Sequence, residues 1–218
     1  MSDPLLSQPP EPRIHRLIRG VDPAFNAIET ALVTFSAVSI ASYYVLEGKS
    51  PISEGDYCTL ETSLFPVEVR IPLGGPLHAA LAGKRPDQID IDIVGRSDHP
   101  PQYPHETDGF KNALMNAVCP AFVLIYAEHE TRLKDVLGRR NTWPSFFEFC
   151  ANIRNALSHG GAASKVQSCQ WRGYSVAPDT HRDKMVIGSE ISLADLILLM
   201  LDFGDEVAKL GASPETSP

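Results

Sequence analysis

The sequence predicts a mainly α-helical bundle with a mixed, β-containing insertion between its first two major helices and a short β-hairpin before the last helix. Three observations lead to this class. Apolar stretches with helical texture lie near both ends, at ALVTFSAVSIASYYVL and ISLADLILLMLDFGDEVAKL. Two more, KNALMNAVCPAFVLIYAEHETRLKDVLG and FFEFCANIRNALS, fill the second half. The region of about 49–104 is different in character, dense in proline and glycine and carrying β-like alternation.

Taken in order, residues 1–20 are expected to be a flexible N-terminal segment, since the first dozen are rich in proline and serine. Asp22 and Pro23 supply an N-cap and a proline at the first helical position, so the first helix is expected to run from there to Leu46 and stop at Gly48. Inside the insertion, TLETSLFPVEVRIPL reads as strand. QIDIDIV alternates Ile with Asp, which suits a half-buried edge strand whose aspartates face water. Helical texture returns near Glu106, and Pro120 is expected to kink or divide that run. Trp143, Pro144 and Ser145 open the next helix, and Gly160 and Gly161 close it. VQSCQWRGYSV and KMVIG then read as two strands joined by the loop APDTHRD. The last helix is too apolar to stand in water alone and must pack into the bundle. GASPETSP, residues 211–218, reads as a disordered tail, which leaves 21–210 as a single domain.

The 218 residues, 43% hydrophobic and 21% charged, are enough for one sizeable core. A formal net charge of -8 excludes a generally basic, backbone-hugging nucleic-acid binder, so any such contact needs a local patch. Arg132, Lys134, Arg139 and Arg140 form the densest one, and they also read as a helix C-terminus complementing its dipole. The four cysteines show neither CxxC nor zinc-finger spacing, which fits a reducing, cytoplasmic setting. MSDPLLSQPPEPRIHR lacks the pattern of a secretion signal. The apolar run at 31–46 is shorter than the roughly 20 residues a bilayer needs, so no membrane partner is expected. Glu128, His129 and Glu130, like His105 and Glu106, do not match HExxH, and Gly74 and Gly75 lack a P-loop lysine. No metal and no cofactor are expected.

The stretch FFEFCANIRNALSHGG holds the densest polar cluster. At about 100° per residue, Phe146, Phe149, Cys150, Ile153, Ala156 and Leu157 share one core arc. Glu148, Asn152, Asn155 and His159 recur as a separate polar stripe, flanked by Arg154 and Ser158. Asn155 lies one turn before His159, within reach of its imidazole. His159 stands beside the helix C-terminus, where the dipole favours imidazolium. Arg and His in a last helical turn also serve as plain dipole partners, so spacing by itself does not make a site. Trp171 and Tyr174 could stack bases, and packing of a hairpin explains them equally.

IRNALSHGG, with Arg154, four intervening residues and His159, resembles the RX4-6H signature of the HEPN superfamily, and Asn155 fills the polar position that often follows the Arg in its nuclease branch. The resemblance covers the helical parts, roughly 22–46 and 106–210, and not 49–104. It implies a HEPN-like helical bundle and a metal-independent endoribonuclease that cleaves RNA by 2′-hydroxyl attack to a 2′,3′-cyclic phosphate. Arg154, His159 and Asn155 would be the catalytic residues, with Ser158, Asn152 and Glu148 binding substrate. It further implies a homodimer with two motifs facing one cleft, an RNA substrate, a toxin–antitoxin or phage-defence setting, and an antitoxin protein as a partner. The alternative is a non-catalytic HEPN-like binding or dimerisation module, since the superfamily includes such members.

Overall fold

The computed structural model describes residues 13–47, 57–72, 75, 76, 79, 82–96, 108–163 and 166–210. It is a mixed α/β fold, about 51% helix and 22% strand, and this corrects the expected mainly-α bundle. Strands β1 (Arg13–Arg19), β2 (Tyr57–Glu61), β3 (Val67–Pro72) and β4 (Gln88–Gly95) form one antiparallel sheet in the order β1-β4-β3-β2. The region expected to be an insertion supplies three of these strands. The fourth, β1, lies in the segment expected to be flexible, with Arg13 opposite Val94 and Arg19 opposite Gln88. The expectations for residues 1–12 and 211–218, and for the helix stop at Gly48, fall outside the described residues.

The physical reason for the correction lies in β4. Ile89, Ile91 and Ile93 are buried on one face, as the alternation requires. Yet β4 is an inner strand, paired with both β1 and β3, rather than an edge. Its apolar face must be covered along its whole length, and that draws helices onto the sheet instead of leaving it as an appendage. Ile28, Ala31 and Leu32 of the first helix meet Ile71 of β3, Val118 of the second helix, and Ile197 and Met200 of the last around one apolar gap. Sheet and helices share a single core.

Helix α1 (Phe25–Glu47) starts just after β1. Asp22 closes that turn by accepting from the Arg19 N–H at 2.6 Å, so its carboxylate serves the strand exit rather than capping the helix. Helix α2 (Asp108–Leu137) continues through Pro120 without a break, the proline being on an exposed position. A 3-10 turn (Arg140–Thr142) leads into α3 (Ser145–Ser158). VQSCQWRGYSV folds by itself as a hairpin, β5 (Cys169–Trp171) and β6 (Tyr174–Val176), because Arg172 and Gly173 take positive φ of 47° and 87°. KMVIG therefore does not supply its second strand; Met185 bridges to Ala162 instead. APDTHRD contains the one-turn helix α4 (Pro178–His181).

Helix α5 (Leu193–Lys209) runs through the centre, with Leu196 to Leu201, Phe203 and Val207 all buried. Ser192 and Asp195 form a capping box at its start. Asp195, at 0% exposure, also accepts from the backbone N–H of Ser63 at 2.9 Å and of Leu64 at 3.4 Å in the β2–β3 loop. At the other end Gly204 lets α1 approach, since a Cβ there would lie 2.9 Å from Ala24 Cβ and 3.3 Å from its nitrogen.

Two outcomes are expected in urea denaturation. Asp195→Ala breaks the N3 half of the capping box and strands backbone donors of the loop, costing about 2–4 kcal/mol. Gly204→Ala overpacks the α1–α5 contact and costs about 1–3 kcal/mol net, although alanine alone favours helix by about 1 kcal/mol.

Candidate functional site

Helix α3 carries the motif, and it is buried on far more of its circumference than its apolar arc requires. Phe147, Glu148, Phe149, Cys150, Ala151, Asn152, Ile153 and Ala156 are all buried. The reason is a guanidinium supplied from the 3-10 turn. Arg140 donates from Nε to Glu148 Oε2 at 3.0 Å and from Nη2 to Asn152 Oδ1 at 3.0 Å. Asn152 in turn donates to the Gln167 carbonyl at 2.9 Å and to Cys169 Sγ at 3.1 Å. Glu148 and Asn152, expected to bind substrate, are thus 5% and 3% exposed and bonded within the fold. A polar stripe can be buried when a cation and a backbone carbonyl pair with most of it; here Glu148 Oε1 stays without a hydrogen-bond partner among the described residues.

The remaining motif residues lie at the open end of the helix. Arg154 is half-buried, with Nη1 donating to Asn155 Oδ1 at 3.2 Å and its guanidinium 5.9 Å from the Tyr126 ring centroid. Its Nε is buried with no hydrogen-bond partner among the described residues. The Asn155 side chain therefore orients Arg154; among the described residues it makes no bond to the His159 imidazole. The Ser158 hydroxyl donates back to the Arg154 carbonyl at 3.0 Å, an ordinary helix back-bond. His159 is exposed at the C-cap, with its N–H bonded to the carbonyls of Ala156 and Asn155 at 3.0 and 3.1 Å.

Gly160 and Gly161 take φ of 72° and 94°, which ends the helix by left-handed turns. Gly161 has no room for a side chain, since a Cβ there would lie 2.7 Å from Met185 Sδ. The Gly161 carbonyl accepts from Val186 N at 3.0 Å, which fixes where the chain leaves His159.

Arg154 and Asn155 open into a cleft of about 490 Å³ between α2, the 3-10 turn and α3. Trp143, Ala151 and Tyr126 give it an apolar floor, and Lys134, Arg139 and Arg140 bring cations to it. The cleft brings the basic cluster of α2 and its exit together with Arg154 and Asn155, but His159 and Ser158 do not line it. Tyr126 and Trp143 escaped the sequence reading. The signal was present: Tyr126, Glu130 and Lys134 recur every four residues and so share one face of α2.

Other candidates are accounted for. Glu130 binds Lys134 at 2.9 Å, while His129 packs at 6.2 Å from the Phe203 ring, where burial lowers its pKa. Among the described residues, no three His, Cys, Asp or Glu side chains are grouped to hold a metal. Trp171 donates to Asp202 Oδ2 at 2.8 Å and is 3% exposed, and the Tyr174 hydroxyl bonds Glu190, so both belong to packing. Burial pushes the Cys119 and Cys169 thiols up to about 11 and that of Cys150 well above its ordinary value. These three thiols stay protonated near neutral pH and are poor nucleophiles. Among the described residues, no helix is long and apolar enough to cross a membrane.

No family model, no curated protein and no solved structure matches this chain. What its geometry defines is a mixed α/β protein with a cationic cleft beside an Arg–Asn pair and an exposed histidine on the same helix end.

Arg140 is expected to matter to stability and Arg139 not. Arg140→Met leaves the Glu148 carboxylate buried alone and costs about 3–5 kcal/mol, of which Glu148→Gln in the double variant restores about half. Arg139→Ala, at an exposed position, stays within about 0.5 kcal/mol. Urea midpoints of the four proteins measure both.

Proposed function

We propose that this protein is a metal-independent endoribonuclease with a HEPN-type motif, working through Arg154, Asn155 and His159. The observation that carries the reading is Arg154 at a cationic cleft with an exposed His159 five residues on, at the C-cap of the same helix. Cleavage without metal needs a base for the 2′-hydroxyl, an acid for the departing 5′-oxygen and positive charge on the phosphorane. The 2′-oxygen attacks phosphorus, the 5′-oxygen leaves with a proton, and a 2′,3′-cyclic phosphate remains beside a free 5′-hydroxyl. The Arg154 fork binds non-bridging oxygens and stabilises the charge that builds on them. Asn155 holds that fork in place through its 3.2 Å bond. His159, reachable from solvent, moves the proton.

One imidazole cannot serve as base and acid in the same step. Two copies of His159 across a two-fold axis can, so a homodimer belongs to the proposal. A toxin–antitoxin or phage-defence setting in the cytoplasm, with an antitoxin protein as partner, is proposed with it on the motif alone. The second reading is a non-catalytic anion-binding module. It is favoured by one observation, that His159 stands outside the cleft that Arg154 lines.

Incubation of purified protein with mixed RNA and excess EDTA decides between them. The nuclease reading expects cleavage, with cyclic-phosphate ends that resist labelling until opened. His159→Ala is expected to lower the rate by about 10²–10⁴-fold. Arg154→Ala is expected to lower it by about 10²–10³-fold. Wild-type protein that leaves RNA intact, or variants that cut as fast as it does, would remove the nuclease reading.

A further inference from the structure

We propose that the cleft between α2, the 3-10 turn and α3 is a subsite for one ribonucleotide unit, with its phosphate on Arg139 and Arg154 and its base over the Trp143–Tyr126 floor. The inference rests on the endoribonuclease reading in one respect, that the sugar is ribose. The rest comes from the cleft itself.

The charges sort into two groups. Lys134 is paired with Glu130 at 2.9 Å, and Arg140 with Glu148 at 3.0 Å, so both serve the fold. Arg139 and Arg154 line the same cleft and have no carboxylate partner among the described residues. They come from separate elements, one just before the 3-10 turn and one on α3. A carboxylate offers two oxygens, whereas a phosphate offers three and can be shared between two guanidiniums approaching from different sides.

Two polar groups at the cleft lack a protein partner among the described residues. One is the buried Arg154 Nε. The other is the Tyr126 hydroxyl, on a residue only 3% exposed whose ring packs against Phe203 at 5.8 Å. A buried guanidinium N–H without a partner is costly unless a ligand or water completes it, and the Tyr126 hydroxyl is free to bond whatever enters the cleft that Tyr126 lines. Trp143 is fixed by its own Nε1 bond to the Gly138 carbonyl at 3.0 Å, so the floor is preformed.

Size and floor choose the ligand class. About 490 Å³ lies in the range of small-molecule sites, well beyond one phosphate ion. A bare phosphate would leave the floor of Trp143, Tyr126 and Ala151 wet, and a neutral ring would leave two guanidiniums unanswered. A nucleoside phosphate satisfies both, with the Tyr126 hydroxyl available to a base edge.

Isothermal titration of the full chain tests this with ribonucleoside 5′-monophosphates, inorganic phosphate, free nucleosides and a short 2′-O-methyl RNA, which lacks the attacking hydroxyl. At least one monophosphate or the oligonucleotide is expected to bind about tenfold or more tighter than inorganic phosphate or nucleoside. Arg139→Glu is expected to weaken it about tenfold or more. Tyr126→Phe, checked for folding by circular dichroism, is expected to weaken it about threefold or more. An oligonucleotide that binds far tighter than any monophosphate makes the unit part of RNA, and the reverse order makes it a free nucleotide; either supports the subsite. Affinity no better than for inorganic phosphate, or unchanged by Arg139→Glu, overturns it. RNA cleavage without such binding sinks the subsite and spares the nuclease, and binding without cleavage does the opposite.

Discussion

The carboxylate of Asp195 is the joint on which the rest of this fold depends. Helix α5 is buried on nearly every side, so it can only lie at the centre of the molecule. A buried helix needs its first N–H groups satisfied, and an acceptor there also meets the positive end of the helix dipole. Asp195 does this with Ser192, and its oxygens also hold the Ser63 and Leu64 amides of the β2–β3 loop. One side chain thereby pins the sheet to the axis of the central helix. Two further joints follow along α5: Asp202 grips Arg172 and Trp171 of the β5–β6 hairpin, and Gly204 receives the start of α1. Sheet, hairpin and first helix are each located by α5.

The motif helix is organised by a different cation. Arg140 draws Glu148 and Asn152 inward, so α3 is packed both on its aromatic face and along half its polar stripe. Only the last turn remains for chemistry. Its three candidates differ in role by position: Arg154 and Asn155 are coupled to each other at the cleft, and His159 stands apart in solvent. The basic cluster likewise divides into cations that hold the fold and cations left available, and that division, rather than net charge, decides what the surface can attract.

Much of the helical content was legible because apolar period and punctuation agree: Pro144 and Ser145 open α3, and Gly160 and Gly161 end it. The fold class was not legible. The alternation in β4 fixed which side chains point inward but says nothing of how many partners a strand has, so an inner strand looked like an edge. Its neighbour β1, RIHRLIR, mixes Arg and His with Ile and follows a proline-rich stretch, which hid it. For the site, counting faces grouped Glu148 and Asn152 with Asn155 correctly as one stripe. What it could not supply was Arg140, eight residues before Glu148, arriving through an irregular turn. Long-range partners of that kind decide whether a polar stripe is wet or buried, and no local pattern encodes them.

The pairing of β1 with β4 has a consequence for synthesis. Residues 13 and 94 are opposed, yet α1, β2 and β3 must all leave the ribosome between them. Helix α5, which holds the sheet's loop, the hairpin and the start of α1, emerges last among the described elements. Until then the gap that Ile28, Ala31 and Leu32 of α1 share with Ile71 and Val118 lacks Ile197 and Met200, and the sheet lacks the carboxylate that pins its loop. The order of emergence runs opposite to the order of dependence. The nascent chain must therefore hold a sticky, half-built sheet until its final helix arrives, which is the interval in which a chaperone or a misplaced strand would compete for it.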